Sequence, residues 1–193
     1  MATTESIHAE LAQAEKDWRN LTKKLVELRR QASGETVEDY TFQRPNGDVK
    51  LSSLFDGRDD LILVHNMGKS CAYCTLWADG FNGLLPHLED RAAFVLVSPD
   101  DPKAQEEFAA GRNWNFKMVS SQGSNFTKEM GYENNGNPLP GFSTFTRNSD
   151  RSIQRIAHAP FGAGDPSDPY CAAWHLFDLL KDGDNGWQAK FEY

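Results

Sequence analysis

The apolar residues Ile7, Leu11, Ala14, Trp18, Leu21, Leu25 and Leu28 follow one another at steps of four, three, four, three, four and three. That spacing places them on one stripe and predicts a long amphipathic helix over residues 5–31, ended by Ser33-Gly34. A stripe of about three heptads suits either a coiled-coil arm joining two copies of the chain or a helix folded onto its own domain. From residue 40 the period changes. The segment YTFQRPNGDVKLSSLF reads as two short strands about a turn at Pro45-Asn46-Gly47-Asp48.

After a charged break, Leu61-Ile62-Leu63-Val64 forms a short apolar run, and Ala93-Phe94-Val95-Leu96-Val97 forms a continuous one. Such runs suit buried parallel strands. Between them residues 75–88 are predicted mostly helical, interrupted near Gly80, Gly83 and Pro86. Ser98-Pro99-Asp100-Asp101 supplies cap, proline and acids for a further helix ending near Gly111. Residues 116–119 suggest a short strand, and residues 125–130 a short helix closed by Gly131. Phe142, Thr144 and Thr146 alternate along a strand that turns at Asn148-Ser149-Asp150 and pairs with residues 152–158. Asp168 and Pro169 open a last helix through Lys181, with Gly183 as its stop. Alternating strands and helices predict an α/β sheet. The organisation expected is an N-terminal helix over residues 1–35 and one domain over residues 36–193.

The chemistry gathers between residues 61 and 77, in LILVHNMGKSCAYCTLW. A strand breaks into a loop containing Gly68, and the loop delivers Cys71 and Cys74 to the start of a helix. Cysteine attacks as thiolate, and a helix N-terminus favours negative charge through its unpaired N–H groups and dipole. Cys71 stands there beside Lys69, which would help hold the thiolate. Cys74 lies one turn on, placed to attack a mixed disulfide formed at Cys71, so the pair can cycle between dithiol and disulfide. Trp77 could flank the site, although with Phe81 four residues on it also fits core packing.

Composition narrows the partners. The 20 Lys and Arg against 28 Asp and Glu give a formal charge of −8, with no basic cluster, which argues against nucleic acid and anionic membrane. No apolar run approaches the ~20 residues of a membrane span, and the first residues lack the apolar core of a signal peptide. A cytoplasmic location is the expectation. Three cysteines are too few for a secreted disulfide scaffold, and in a reducing compartment a close C-x-x-C is redox-active or metal-binding more often than structural. Phe161-Gly162-Ala163-Gly164-Asp165 does not follow a strand-to-helix phosphate fingerprint, so no nucleotide or other cofactor is called for.

The order of elements resembles the thioredoxin-like fold in its extended form, as in peroxiredoxins and membrane-anchored thiol reductases: a central mixed sheet flanked by helices, preceded by a β-hairpin. CAYCTLWADGFNGLLPHL, Val119-Ser120-Ser121 and LPGFSTFTR look more narrowly like an uncharacterised thioredoxin-like family, domain of unknown function 899. The resemblance covers roughly residues 36–181. It implies that Pro140 heads a strand after a cis peptide bond, and that its loop, with Leu139, lines a substrate site facing the dithiol. It also places His65 where thioredoxins hold a buried acid, so His65 could accept the Cys74 proton during exchange. The pattern is not followed everywhere. Ser70 replaces the tryptophan expected before the first cysteine, and Ala72-Tyr73 replaces Gly-Pro between the two. Residues 65–70 also lack the proline and threonine that precede a peroxidatic cysteine, which makes peroxidase activity the less favoured redox chemistry.

The reading is therefore a thiol-disulfide oxidoreductase acting on a protein or small-molecule disulfide or thiol. Cys71 attacks and Cys74 resolves. Two other classes stand beside it. Cys171 and His175 share a helix face, so Cys71, Cys74, Cys171 and His175 form a candidate zinc set of three thiolates and an imidazole. The other alternative is a binding module whose dithiol is incidental.

Overall fold

The computed structural model describes residues 3–32, 34–162, 164–165 and 167–193. Ser33, expected to help end the first helix, and Ala163, in the glycine-bearing loop, lie outside the described residues. The chain divides into two compact units, Met1–Gly34 and Glu35–Tyr193.

In the first unit, α1 (Thr4–Gln31) follows the apolar stripe, and the Thr3 side chain caps it by accepting the Ser6 N–H at 3.2 Å. No described residue of α1 is buried. Ile7, Leu11, Trp18, Leu21, Leu25 and Leu28 are each half exposed or more.

The second unit begins with β1 (Glu35–Val37), β2 (Thr41–Phe42) and β3 (Val49–Lys50), then β4 (Asp60–His65), α2 (Ala72–Arg91), β5 (Ala93–Ser98), α3 (Pro102–Gly111) and β6 (Lys117–Ser120). It continues with α4 (Phe126–Glu129), β7 (Glu133–Asn134), β8 (Asn137–Pro138), β9 (Gly141–Arg147), β10 (Ile153–Pro160) and α5 (Ala172–Phe177). Six strands form a mixed sheet in the order β1-β10-β9-β4-β5-β6. β4, β5 and β6 run parallel, and β9 lies antiparallel on the far side of β4. This is a thioredoxin-like α/β sheet with an added N-terminal helix.

Burial explains the centre of the sheet. Every residue of β5 is buried, as its unbroken apolar run requires for a parallel strand covered on both faces. The two faces have separate cores. Leu61, Leu63, Val95, Val97 and Phe145 pack with Phe42, Leu54 and Phe126 on one side. Val64, Phe94 and Leu96 pack with Trp77, Phe81 and Trp174 on the other, under α2.

Several local expectations are revised. α2 runs unbroken through Gly80, Gly83 and Pro86, because all three are exposed while Cys74, Trp77, Ala78, Phe81 and Leu85 form a buried stripe that holds the helix to the sheet. In residues 40–55 the second strand stops at Lys50, and Leu51–Phe55 forms a 3₁₀ turn burying Leu51, Leu54 and Phe55. Those residues recur at helical rather than strand spacing. α5 starts at Ala172 and stops at Phe177, well short of Lys181, because Leu179 and Leu180 are exposed and offer no buried face to extend it. Asp168 does not cap it. Its carboxylate is buried and accepts the Gly162 and Tyr170 N–H groups, both at 2.6 Å, which ties down the preceding loop. Among the described residues there is no cis peptide bond, so Pro140 is trans. Its neighbours explain why that suffices: the Leu139 N–H donates to the Tyr132 carbonyl at 2.8 Å and the Phe161 N–H to the Pro140 carbonyl at 3.0 Å. The loop is thereby held in the form that an X-Pro bond prefers by about 0.5–1 kcal/mol. Among the described residues no helix is long and apolar enough to cross a membrane.

Candidate active site

The dithiol is placed by the end of β4 and the first turn of α2. Beyond His65 the Asn66 N–H donates to the Val97 carbonyl at 2.9 Å, and the Asn66 side chain accepts the Gly68 N–H at 2.8 Å. This folds the chain into a tight loop in which Gly68 has φ +105°, open to glycine and strained for other residues. Asp100, from the loop after β5, buttresses it. Its carboxylate accepts the Lys69 N–H at 2.8 Å and the Ser98 hydroxyl at 3.0 Å. Gln105 supports Ser98 in turn, donating to its hydroxyl at 2.8 Å.

The loop ends with the Cys71 N–H on the Gly68 carbonyl at 3.1 Å, which leaves Cys71 at the cap position of α2. There its sulfur accepts the Cys74 N–H at 3.1 Å. A sulfur in that position replaces the hydroxyl or carboxylate that ordinarily satisfies the free donors of a first turn. The three cysteines are thiols. Cys71 is half-buried and Cys74 is buried.

Their acidities diverge. The hydrogen bond from the Cys74 thiol, with smaller help from the Cys74 and Tyr73 N–H groups, lowers Cys71 to about 7, against an opposing effect of burial. The same hydrogen bond, reinforced by burial and by the negative charge of Cys71, raises Cys74. The outer sulfur is thus disposed to ionise and the inner one to stay protonated.

The other residues singled out in the sequence fall in different places. The Lys69 side chain lines a surface cavity with Glu107, Phe108, Arg112 and Phe191, and its charge is not among the causes that lower Cys71. His65 has its ring on the face of the sheet opposite α2. It hydrogen-bonds Ser143 at 2.9 Å and stacks on Tyr132 with centroids 3.8 Å apart. Burial, with the nearby Arg155 charge, pushes its pKa well down, so the ring is neutral, and no hydrogen bond joins it to either thiol. Trp77 is buried against Phe161, with centroids 4.7 Å apart. Leu139 and Pro140 line a cavity of about 510 Å³ with Tyr132, Arg155, His158 and Phe161.

The zinc alternative is not assembled. Among the described residues no group of three or more His, Cys, Asp or Glu side chains is close enough to hold a metal ion. Cys171 is buried in the apolar cluster with Trp77 and Trp174, where loss of water raises its pKa. It behaves there as a small hydrophobe.

Sequence reasoning missed Asn66 and Asp100. A signal for Asp100 existed: two acids follow β5, and only Asp101 caps α3, accepting the Lys103 and Ala104 N–H groups. The second acid was left without a helix to serve.

A family model described as a bacterial protein of unknown function (DUF899) matches residues 3–191. No curated protein matches the chain. Among solved structures, peroxidoxin BcpB from Mycobacterium tuberculosis is 23% identical with a TM-score of 0.54, over 75% of this chain and 96% of that one. Peroxiredoxin Q from Xanthomonas campestris is 20% identical with a TM-score of 0.55, over 75% and 97%. PrxQ from Xylella fastidiosa is 19% identical with a TM-score of 0.53, over 67% and 88%. At such identities the likeness is one of fold, and the fold is thioredoxin-like.

Proposed function

The chain belongs to the DUF899 family of bacterial proteins, and we propose that it is a thiol-disulfide oxidoreductase in which Cys71 attacks and Cys74 resolves. The observation that carries this is the division of labour between the sulfurs. Cys71 caps α2, is half-buried and is lowered to about 7, whereas Cys74 is buried behind it with its pKa raised.

In the forward direction the Cys71 thiolate attacks one sulfur of a partner disulfide. A bond forms between Cys71 and the partner, and the partner's other sulfur leaves as thiolate and takes a proton from water. Cys74 then gives up its proton, attacks the Cys71 sulfur and expels the second partner thiolate, which is protonated in turn. Two electrons and two protons have passed to the partner, and the chain holds a disulfide. A dithiol or glutathione-type thiol restores the pair by the reverse exchange. The partner class is a protein or small molecule carrying a disulfide or thiol, and the cytoplasm would supply reducing thiol.

A second reading is favoured by the folds of peroxidoxin BcpB and peroxiredoxin Q. In it the Cys71 thiolate attacks a peroxide oxygen, becomes a sulfenic acid and releases water or alcohol. Cys74 then condenses with the sulfenic acid, losing water and leaving the same disulfide. The missing proline and threonine before Cys71 keep this reading second.

The test is equilibration of the purified protein in glutathione buffers of graded potential, followed by alkylation and mass measurement. Reversible pairing of Cys71 with Cys74 at a defined potential is expected, with Cys74→Ser trapping a mixed disulfide at Cys71. Failure of the two to pair at any potential overturns the proposal. One equivalent of hydrogen peroxide added to the reduced protein then separates the readings: oxidation within seconds favours peroxide reduction, and oxidation only by disulfides favours exchange.

A further inference from the structure

β10 carries a bulge between Arg155 and Ala157. In an unbroken strand residues three apart point to opposite faces. Here Arg155 is paired with Phe145 and His158 with Ser143, so the bulge turns both onto the face that bears Ser143 and Phe145. Both line the cavity of about 510 Å³ beside the Pro140 loop.

Arg155 is half-buried there without a counter-charge. One terminal N–H donates to the Met130 carbonyl at 3.0 Å, and the guanidinium stands 5.8 Å from the centre of the Tyr132 ring. Its Nε is buried with no hydrogen-bond partner, and among the described residues no carboxylate pairs with it. Glu129, the carboxylate on this wall, instead accepts the Tyr40 hydroxyl. A guanidinium whose Nε is cut off from water with no anion beside it is costly, and its planar fork matches a carboxylate. The remaining walls are apolar, formed by Met130, Leu139, Pro140, Pro160 and Phe161.

We propose that this cavity binds a small organic acid, with its carboxylate between Arg155 and His158 and its apolar body against Met130, Leu139, Pro140 and Phe161. The volume lies in the range of ordinary ligand sites, roughly 300–1,000 Å³. Gly141, next to Pro140, pairs with His65 at the end of the strand that leads into the dithiol loop, so cavity and dithiol share one end of the sheet. The inference does not rest on the redox reading.

The test is calorimetric titration of the full chain with octanoate, 1-octanol and inorganic phosphate. Saturable octanoate binding is expected, at least roughly tenfold tighter than octanol or phosphate, and Arg155→Met should weaken it at least roughly tenfold. Leu139→Trp, at an exposed position on the wall, should fill the cavity and abolish binding while leaving Arg155 in place. Equal binding of octanol overturns the proposal by showing an apolar cleft alone. Equal binding of phosphate overturns the organic-acid assignment, as does the absence of octanoate binding up to about 10 mM.

Discussion

The Cys71 sulfur accepts the backbone N–H of Cys74 at 3.1 Å, while the Cys74 thiol lies buried behind it at 2% exposure. One helical turn therefore stabilises one sulfur as anion and the other as neutral thiol. Alkylation of the reduced protein by iodoacetamide should follow this: Cys71 reacts with a midpoint near pH 7, and Cys74 stays unmodified until the chain unfolds. Cys74→Ala removes the leading cause of the lowering, so the Cys71 midpoint should move up toward the ~8.5 of a free cysteine. Rates at Cys71 that have the same midpoint with and without the Cys74 thiol would sink this assignment.

The same shift bears on stability. Cys71 has a lower pKa folded, about 7, than the ~8.5 of an unfolded cysteine. Its contribution is therefore present above ~8.5 and lost as pH falls through about 7. Cys74, raised in the folded chain, acts oppositely: its contribution is present below ~8.5 and lost as pH rises beyond that. Thermal melts of the reduced protein should show the gap between parent and Cys71→Ser widening from pH 6 to pH 8.5. A gap that is flat across that range contradicts a depressed Cys71.

Gly68 and Gly80 separate the loop from the helix it feeds. An added Cβ at Gly68, where φ is +105°, would sit 3.0 Å from an Asp100 carboxylate oxygen, whereas nothing lies within 4 Å of one at Gly80. Gly68→Ala should destabilise by about 1–3 kcal/mol, and Gly80→Ala, on the exposed side of α2, should stabilise by about 0.5–1 kcal/mol. Urea midpoints of the two variants decide it: a Gly68→Ala variant as stable as the parent would show that the loop does not hold Gly68 as described, and a destabilised Gly80→Ala variant would show that Gly80 is not open.

How much could be read in advance depended on whether a feature was periodic. The run from Ala93 to Val97 and the alternation of Phe142, Thr144 and Thr146 became β5 and β9, because one or two buried faces write their period into the chain. The dithiol at the start of α2 was legible from two cysteines and a glycine. Asp100 was legible only as an acid that α3 does not use; its role was not, since the group it buttresses is the Lys69 N–H, 31 residues away. Nor was the side of the sheet on which His65 lies, which depends on the register of β4 against β9. The bulge in β10 leaves no local mark either: Ile156 stands between Arg155 and Ala157 with no glycine or proline beside it, and only the pairing reveals that it is the extra residue.

The stripe on α1 is the remaining long-range feature. It spans a helix of 28 residues, about 42 Å at ~1.5 Å per residue, and its apolar side chains are half exposed or more. A second copy of this chain offers an equally long stripe at steps of three and four by symmetry, which favours self-association over folding onto its own domain. We therefore expect the full chain to sediment as a dimer at micromolar concentration. Leu21→Glu, which places a charge in the middle of the seam, should raise the dimer dissociation constant at least roughly tenfold without changing the far-ultraviolet helix signal of the remaining domain. A parent chain that sediments as a monomer, or a Leu21→Glu variant as dimeric as the parent, would assign the stripe to something other than self-association.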